Sequence, residues 1–136
     1  MVVQVRCVLR QDDRYLLVRR KQRWPVKFGK WELPGGALEP AEAPETGVRR
    51  KLAEQNQSNI RNLVFLGDWE YRGEVHRVFS CQFEGAVGHA GRTEHPSFVW
   101  LTVGEIVTLA KAGKLCTGFE LAAITRAAHR ARQKGV

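Results

Sequence analysis

Two adjoining stretches of the chain carry residue types that could do chemistry. Residues 19–31, RRKQRWPVKFGKW, hold six basic side chains interleaved with Trp24, Phe28 and Trp31. Cations set among flat aromatic faces suit a ligand that carries phosphates and stackable bases. The same composition suits a solvated loop whose aromatics dock on the core, and a Trp just before Pro-Gly-Gly is commonly a packing residue; both readings stand. Residues 31–58, WELPGGALEPAEAPETGVRRKLAEQNQS, pass from a double glycine into a run of charge that ends at Glu54 and Gln55. The glycines allow a sharp turn and a close approach of backbone to a ligand or metal. A helix entered at Pro44 places side chains at i, i+3 and i+4 on one face, a turn apart. Oxygen ligands so placed can hold magnesium, which neutralises two phosphates while water attacks one phosphorus.

The second stretch resembles the Nudix box, G-x5-E-x7-R-E-U-x-E-E-x-G-U, where U is a bulky aliphatic residue. Gly36, Glu42, Arg50, Leu52 and Glu54 fall on that pattern, while Lys51, Gln55, Gln57 and Ser58 stand at defined positions and break it. The lead-in WELPGG is typical of the family. The resemblance implies an α/β (α+β) fold, a Nudix-type α/β/α sandwich around a mixed sheet. It implies hydrolysis of a nucleoside diphosphate linked to another moiety, with Mg (or Mn) as cofactor. It also assigns roles. Glu42 and Arg50 form a structural pair that ties the Pro-Gly-Gly loop to the helix. Gly36 offers a backbone carbonyl to the metal, and the three carboxylate positions are filled by Lys51, Glu54 and Gln55. The metal ligands that remain are therefore Gly36, Glu54 and Gln55, with Glu54 also catalytic. A further acidic residue, metal ligand or general base in relatives, precedes a strand that carries a Trp. Glu94, six residues before Trp100, fits that place, with His89 and His95 able to titrate beside it; a plain surface position fits it too. The basic loop supplies Arg20, Arg23 and Trp31 as substrate-binding candidates.

The departures have a direction. A Lys51 ammonium in the pocket repels a divalent cation by roughly 1–4 kcal/mol per unit charge in partly solvated surroundings. Gln55 keeps only a neutral carbonyl oxygen. A substrate's own phosphates can still bring magnesium with them. The expected activity is thus a weak or divergent pyrophosphohydrolase. The alternative is a catalytically inactive Nudix-like module that binds a nucleotide, or RNA through its basic loop.

The elements that must position these residues follow from period and punctuation. VVQVRCVL (2–9) and YLLVR (15–19) read as a hairpin across QDDR, and residues 20–35 as a long loop. A helix begins at Pro44 and buries Val48 and Leu52 along one stripe, with Asn59 free to turn left-handed after it. Strands are predicted over 63–71, 75–83 and 98–103, and helices over 104–112 and 118–133, the last with Leu121, Ile124 and Ala128 on one face. Its basic end, HRARQK at 129–134, suits a helix C-terminus.

Composition bounds the rest. A chain of 136 residues is expected to form a single domain over 1–136. Its formal charge of +8 favours anionic partners. No apolar run approaches the ~18 residues that span a bilayer, so no membrane partner is expected. Cys7, Cys81 and Cys116 are odd in number and far apart in sequence, which favours buried or semi-buried thiols in a reducing cytoplasm over a disulfide framework or zinc site. The resemblance leaves a homodimer open.

Overall fold

The apolar run at the N-terminus becomes the middle of a sheet. The computed structural model describes residues 1–19, 21–22, 27–85 and 97–133. In chain order its elements are β1 (Val2–Gln11), β2 (Arg14–Val18), β3 (Lys21–Gln22), β4 (Lys27–Phe28), β5 (Gly35–Ala37) and α1 (Pro44–Glu54). Then come β6 (Ile60–Tyr71), β7 (Glu74–Phe83), β8 (Phe98–Leu101), α2 (Val103–Lys111) and α3 (Glu120–Gln133). The sheet runs β6-β7-β1-β2-β8, with β5 joined to β1. It is mixed: β1 and β7 are parallel, and the other pairs antiparallel.

β1 divides one edge between two partners. At its far end Arg10 and Gln11 pair with Tyr15 and Arg14 of β2. At its near end Gln4, Val5 and Arg6 pair with Ala37, Gly36 and Gly35 of β5. This split brings the double glycine to the sheet and beside α1.

Alternation along β1 sends successive side chains to opposite faces. Val5, Cys7 and Leu9 pack with Leu16, Phe79 and Trp100 against Val48 and Leu52 of α1. Val8 packs with Leu17, Leu66 and Val78 against Ile106 of α2 and Ile124 of α3. Helices on both faces make the α/β/α sandwich that the sequence predicts. Among the described residues no helix is long and apolar enough to cross a membrane.

Several boundaries move, each for a local reason. The hairpin ladder continues to Gln11 and Arg14, because Asp12 takes a left-handed conformation and shortens the turn. β6 starts at Ile60 rather than at 63, pairing with Phe83. β8 stops at Leu101 because Thr102 caps α2 in a reciprocal box with Glu105. Strands β3 and β4 fall inside the predicted loop and β5 starts at its last residue, since pieces of two or three residues have no period to read. The turn after α1 is made by Asn56 (φ 62°), not Asn59. Asn56 N–H donates to Ala53 and Gln57 N–H to Leu52, a Schellman closure that needs no glycine at position 57.

Cys7 and Cys81, distant in sequence, meet across the β1–β7 pair as buried free thiols with sulfurs 3.2 Å apart. Cys116 is exposed, contrary to the expectation of burial.

Candidate functional site

The box residues gather where α1 faces β5. Helix α1 opens on Pro44 with Glu45 in its first turn, both favourable at that end. Gly47 is buried in its interior, where a Cβ would collide with Leu38. Glycine there lets the loop 38–42 lie directly on the helix.

That contact delivers Glu42 to Arg50. The guanidinium donates from Nε to Glu42 Oε2 at 2.8 Å and from Nη2 to Glu42 Oε1 at 2.9 Å. It also donates to Ala37 O at 3.2 Å and to Glu54 Oε2 at 2.8 Å. The Glu39 N–H donates to Glu42 Oε1 at 3.0 Å. One arginine thus fastens the loop, the end of β5 and the last turn of α1 together. The Arg50 hydrogen bond, with that of the Glu39 amide, pushes the Glu42 pKa down to about 2. The pairing expected of Glu42 and Arg50 is present.

The three positions on the ligand face differ from one another. Glu54 is the half-exposed anion, and its pKa is lowered first by the Arg50 hydrogen bond and further by Lys51. A carboxylate held low is a weak proton acceptor at neutral pH. Lys51 Nζ lies 3.4 Å from Glu54 Oε1. Its methylenes cross the double glycine: a Cβ built on Gly36 (φ 159°) would stand 2.7 Å from Lys51 Cε and 3.1 Å from Nζ. A Cβ there would push the end of that side chain aside. Gln55 donates from Nε2 to Gly35 O at 3.3 Å, and its Oε1 is buried without a partner.

This set does not fit a metal held in the way the box implies. One position presents an ammonium, one an anion already paired with two cations, and one an amide turned to the backbone. Among the described residues no three His, Cys, Asp or Glu side chains gather in an arrangement that could hold a metal ion.

The remaining candidates divide. Arg20, Arg23 and Glu94, with Trp24, His89 and His95, lie outside the described residues. Trp31 takes the packing position: it is 5% exposed, its backbone bonds to Lys114 and Cys116, and Arg19 lies 4.3 Å over its ring.

A second polar group, on the α3 side of the sheet, was not singled out by the sequence. Arg6, buried on β1, meets Glu32 at 2.9 Å and donates to Leu33 O at 3.1 Å and Gln4 Oε1 at 3.3 Å. Beside it His76 of β7 is 3% exposed against the edge of Phe119, with neither ring nitrogen partnered; Arg6 Nε is also unpartnered. Burial, and then the Arg6 charge, lower the His76 pKa. The signal was an arginine set in the apolar run VVQVRCVL.

Comparison with known proteins agrees with this fold. The sequence model of the NUDIX domain matches residues 2–116. A MutT-like protein of Streptomyces ambofaciens is 38% identical over 101 residues, which are 73% of this chain and 62% of that protein. The chain therefore spans less than two thirds of that relative's length. A nucleoside triphosphatase NudI of Enterobacter sp. (strain 638) is 26% identical over 68 residues, 50% of this chain and 48% of that one. The structure of a NUDIX hydrolase from Nitrosomonas europaea superposes with a TM-score of 0.68 at 24% identity, covering 94% of this chain and 88% of that chain, a likeness of fold.

Proposed function

Since the chain belongs to the NUDIX domain family, we propose that it binds a nucleoside diphosphate linked to another moiety and hydrolyses the pyrophosphate bond slowly. The observation that carries this reading is the Arg50 clamp. It gathers Glu42, Glu54 and Ala37, the residue that follows the double glycine, around one guanidinium, which keeps the elements of the box together at one face. Turnover is slow because Lys51 and Gln55 stand where carboxylates would hold the metal.

Lys51→Glu with Gln55→Glu rebuilds a three-carboxylate face. With magnesium or manganese, hydrolysis should rise at least tenfold, about 1.4 kcal/mol of barrier. The panel is nucleoside diphosphate sugars, dinucleoside polyphosphates and nucleoside triphosphates. No product from either protein on any of these would overturn the reading.

A second reading is binding without turnover. It is favoured by Glu54, whose carboxylate is shared between Arg50 and Lys51. If the ligand were RNA on the basic loop, affinity would fall steeply with salt, by about 0.7 log units per log unit of salt for each phosphate contact. A slope steeper than about −3 for a single-stranded oligonucleotide would move the assignment to RNA. A small diphosphate gives a shallow slope, which is the expected result.

A further inference from the structure

We infer that Lys51 is the resident cation of the box: its ammonium takes the ligand's diphosphate, so that binding needs no divalent ion. This rests on the reading that the α1–β5 face accepts a diphosphate-bearing ligand.

The placement of the side chain is the first support. Lysines lay their methylene stems along the protein surface and keep the ammonium toward water. The Lys51 stem lies across Gly36, where the missing Cβ leaves it room, and about a quarter of its side chain is exposed. The ammonium thereby lies beside Gly36, within 3.4 Å of Glu54.

Its donors are not spent. Among the described residues its ion-pair partner is Glu54 at 3.4 Å, whereas Arg50 holds the other oxygen of Glu54 at 2.8 Å. Arg50 is the stronger partner of that carboxylate. Lys51 keeps N–H donors for incoming oxygens, and an ammonium is a compact charge suited to phosphate.

Charge supplies the reason a metal becomes dispensable. Three carboxylates and a diphosphate repel one another, and a divalent ion is required to bridge them. Lys51, Glu54 and Gln55 sum to zero, so the phosphates meet no wall of like charge and find a cation already in place. Magnesium bound to the diphosphate would cancel the charge that Lys51 recognises, without gaining carboxylate ligands from the chain.

The test is calorimetry of the whole chain with ADP and with inorganic pyrophosphate, first in EDTA and then in excess magnesium. Both probes should bind in EDTA, and magnesium should not tighten them. Lys51→Met should weaken both at least tenfold, and Lys51→Arg should stay within about threefold of wild type. Circular dichroism of each variant verifies folding; Met and Arg are both good helix formers. Binding that appears only with magnesium, or equal affinity in the Lys51→Met protein, overturns the inference and leaves the proposed function standing. Failure of ADP, pyrophosphate and the whole nucleotide panel to bind under either condition overturns both.

Discussion

On the α1 face Arg50 reaches three carboxylates and a carbonyl at the rim of the sheet, with solvent beside it. On the α3 face Arg6 reaches one carboxylate and a carbonyl with almost no solvent at all. The two arginines make similar bonds and differ in what surrounds them. At the rim, water reaches Arg50 and the half-exposed Glu54, though little of Glu42, so a neighbour on that outer side can change sign at modest structural cost. Lys51 and Gln55 are tolerated in such a place. In the interior a charge without its partner is expensive, so Arg6 and Glu32 must stand or fall together.

The largest effect should come from Arg6→Met, which leaves the largely covered Glu32 uncompensated. A loss of about 3–5 kcal/mol is expected in urea unfolding. Adding Glu32→Leu should recover most of it, and a double variant no better than the single one would show that the pair is not the unit. Next in size, Asn56→Ala forces a left-handed conformation on a residue that resists it, for about 1–2 kcal/mol. Asn56→Gly should cost nothing. Equal effects of Ala and Gly would mean that the helix end does not depend on that conformation.

Two further predictions compare the faces by pH. His76 has a folded pKa below the ordinary 6.5. Between the two values the unfolded chain binds the extra proton, so stability falls as the pH drops from 6.5 through the lowered value. His76→Phe should remove that dependence, visible as a flatter plot of melting temperature against pH. At the rim, the Glu42 contribution is complete above the ordinary 4.5 and disappears as the pH falls toward about 2. Glu42→Gln should abolish this lower acid transition while costing less at neutral pH than Arg6→Met. If it costs more, the contrast between rim and interior is wrong.

The box was legible because its chemistry is local: Gly36 through Glu54 form one loop and one helix, and the family resemblance carried by that spacing implies the pairing of Glu42 with Arg50. Val48 and Leu52 were legible for the same reason, as a stripe of helical period. The capping box at Thr102 and Glu105 was equally local and went unread, since the strand pattern FVWLTV ran over it. Arg6 was visible as an anomaly in an apolar strand, yet its partner lies 26 residues away in a segment without period.

By itself the sequence determined the family, the three helices, the principal strands and the identity of the side chains on the box face of α1. Those features depend on spacing along one element, and spacing is written in the chain. Tertiary structure decided that β1 shares an edge between β2 and β5, which seats the glycines beside α1. It decided that Cys7 meets Cys81, that Arg6, Glu32 and His76 form one buried group, and that Lys51 lies across Gly36 rather than in water. Each of these depends on which distant segments a strand pairs with, and pairing is settled by burying the two apolar faces of the sheet at once, not by any local preference.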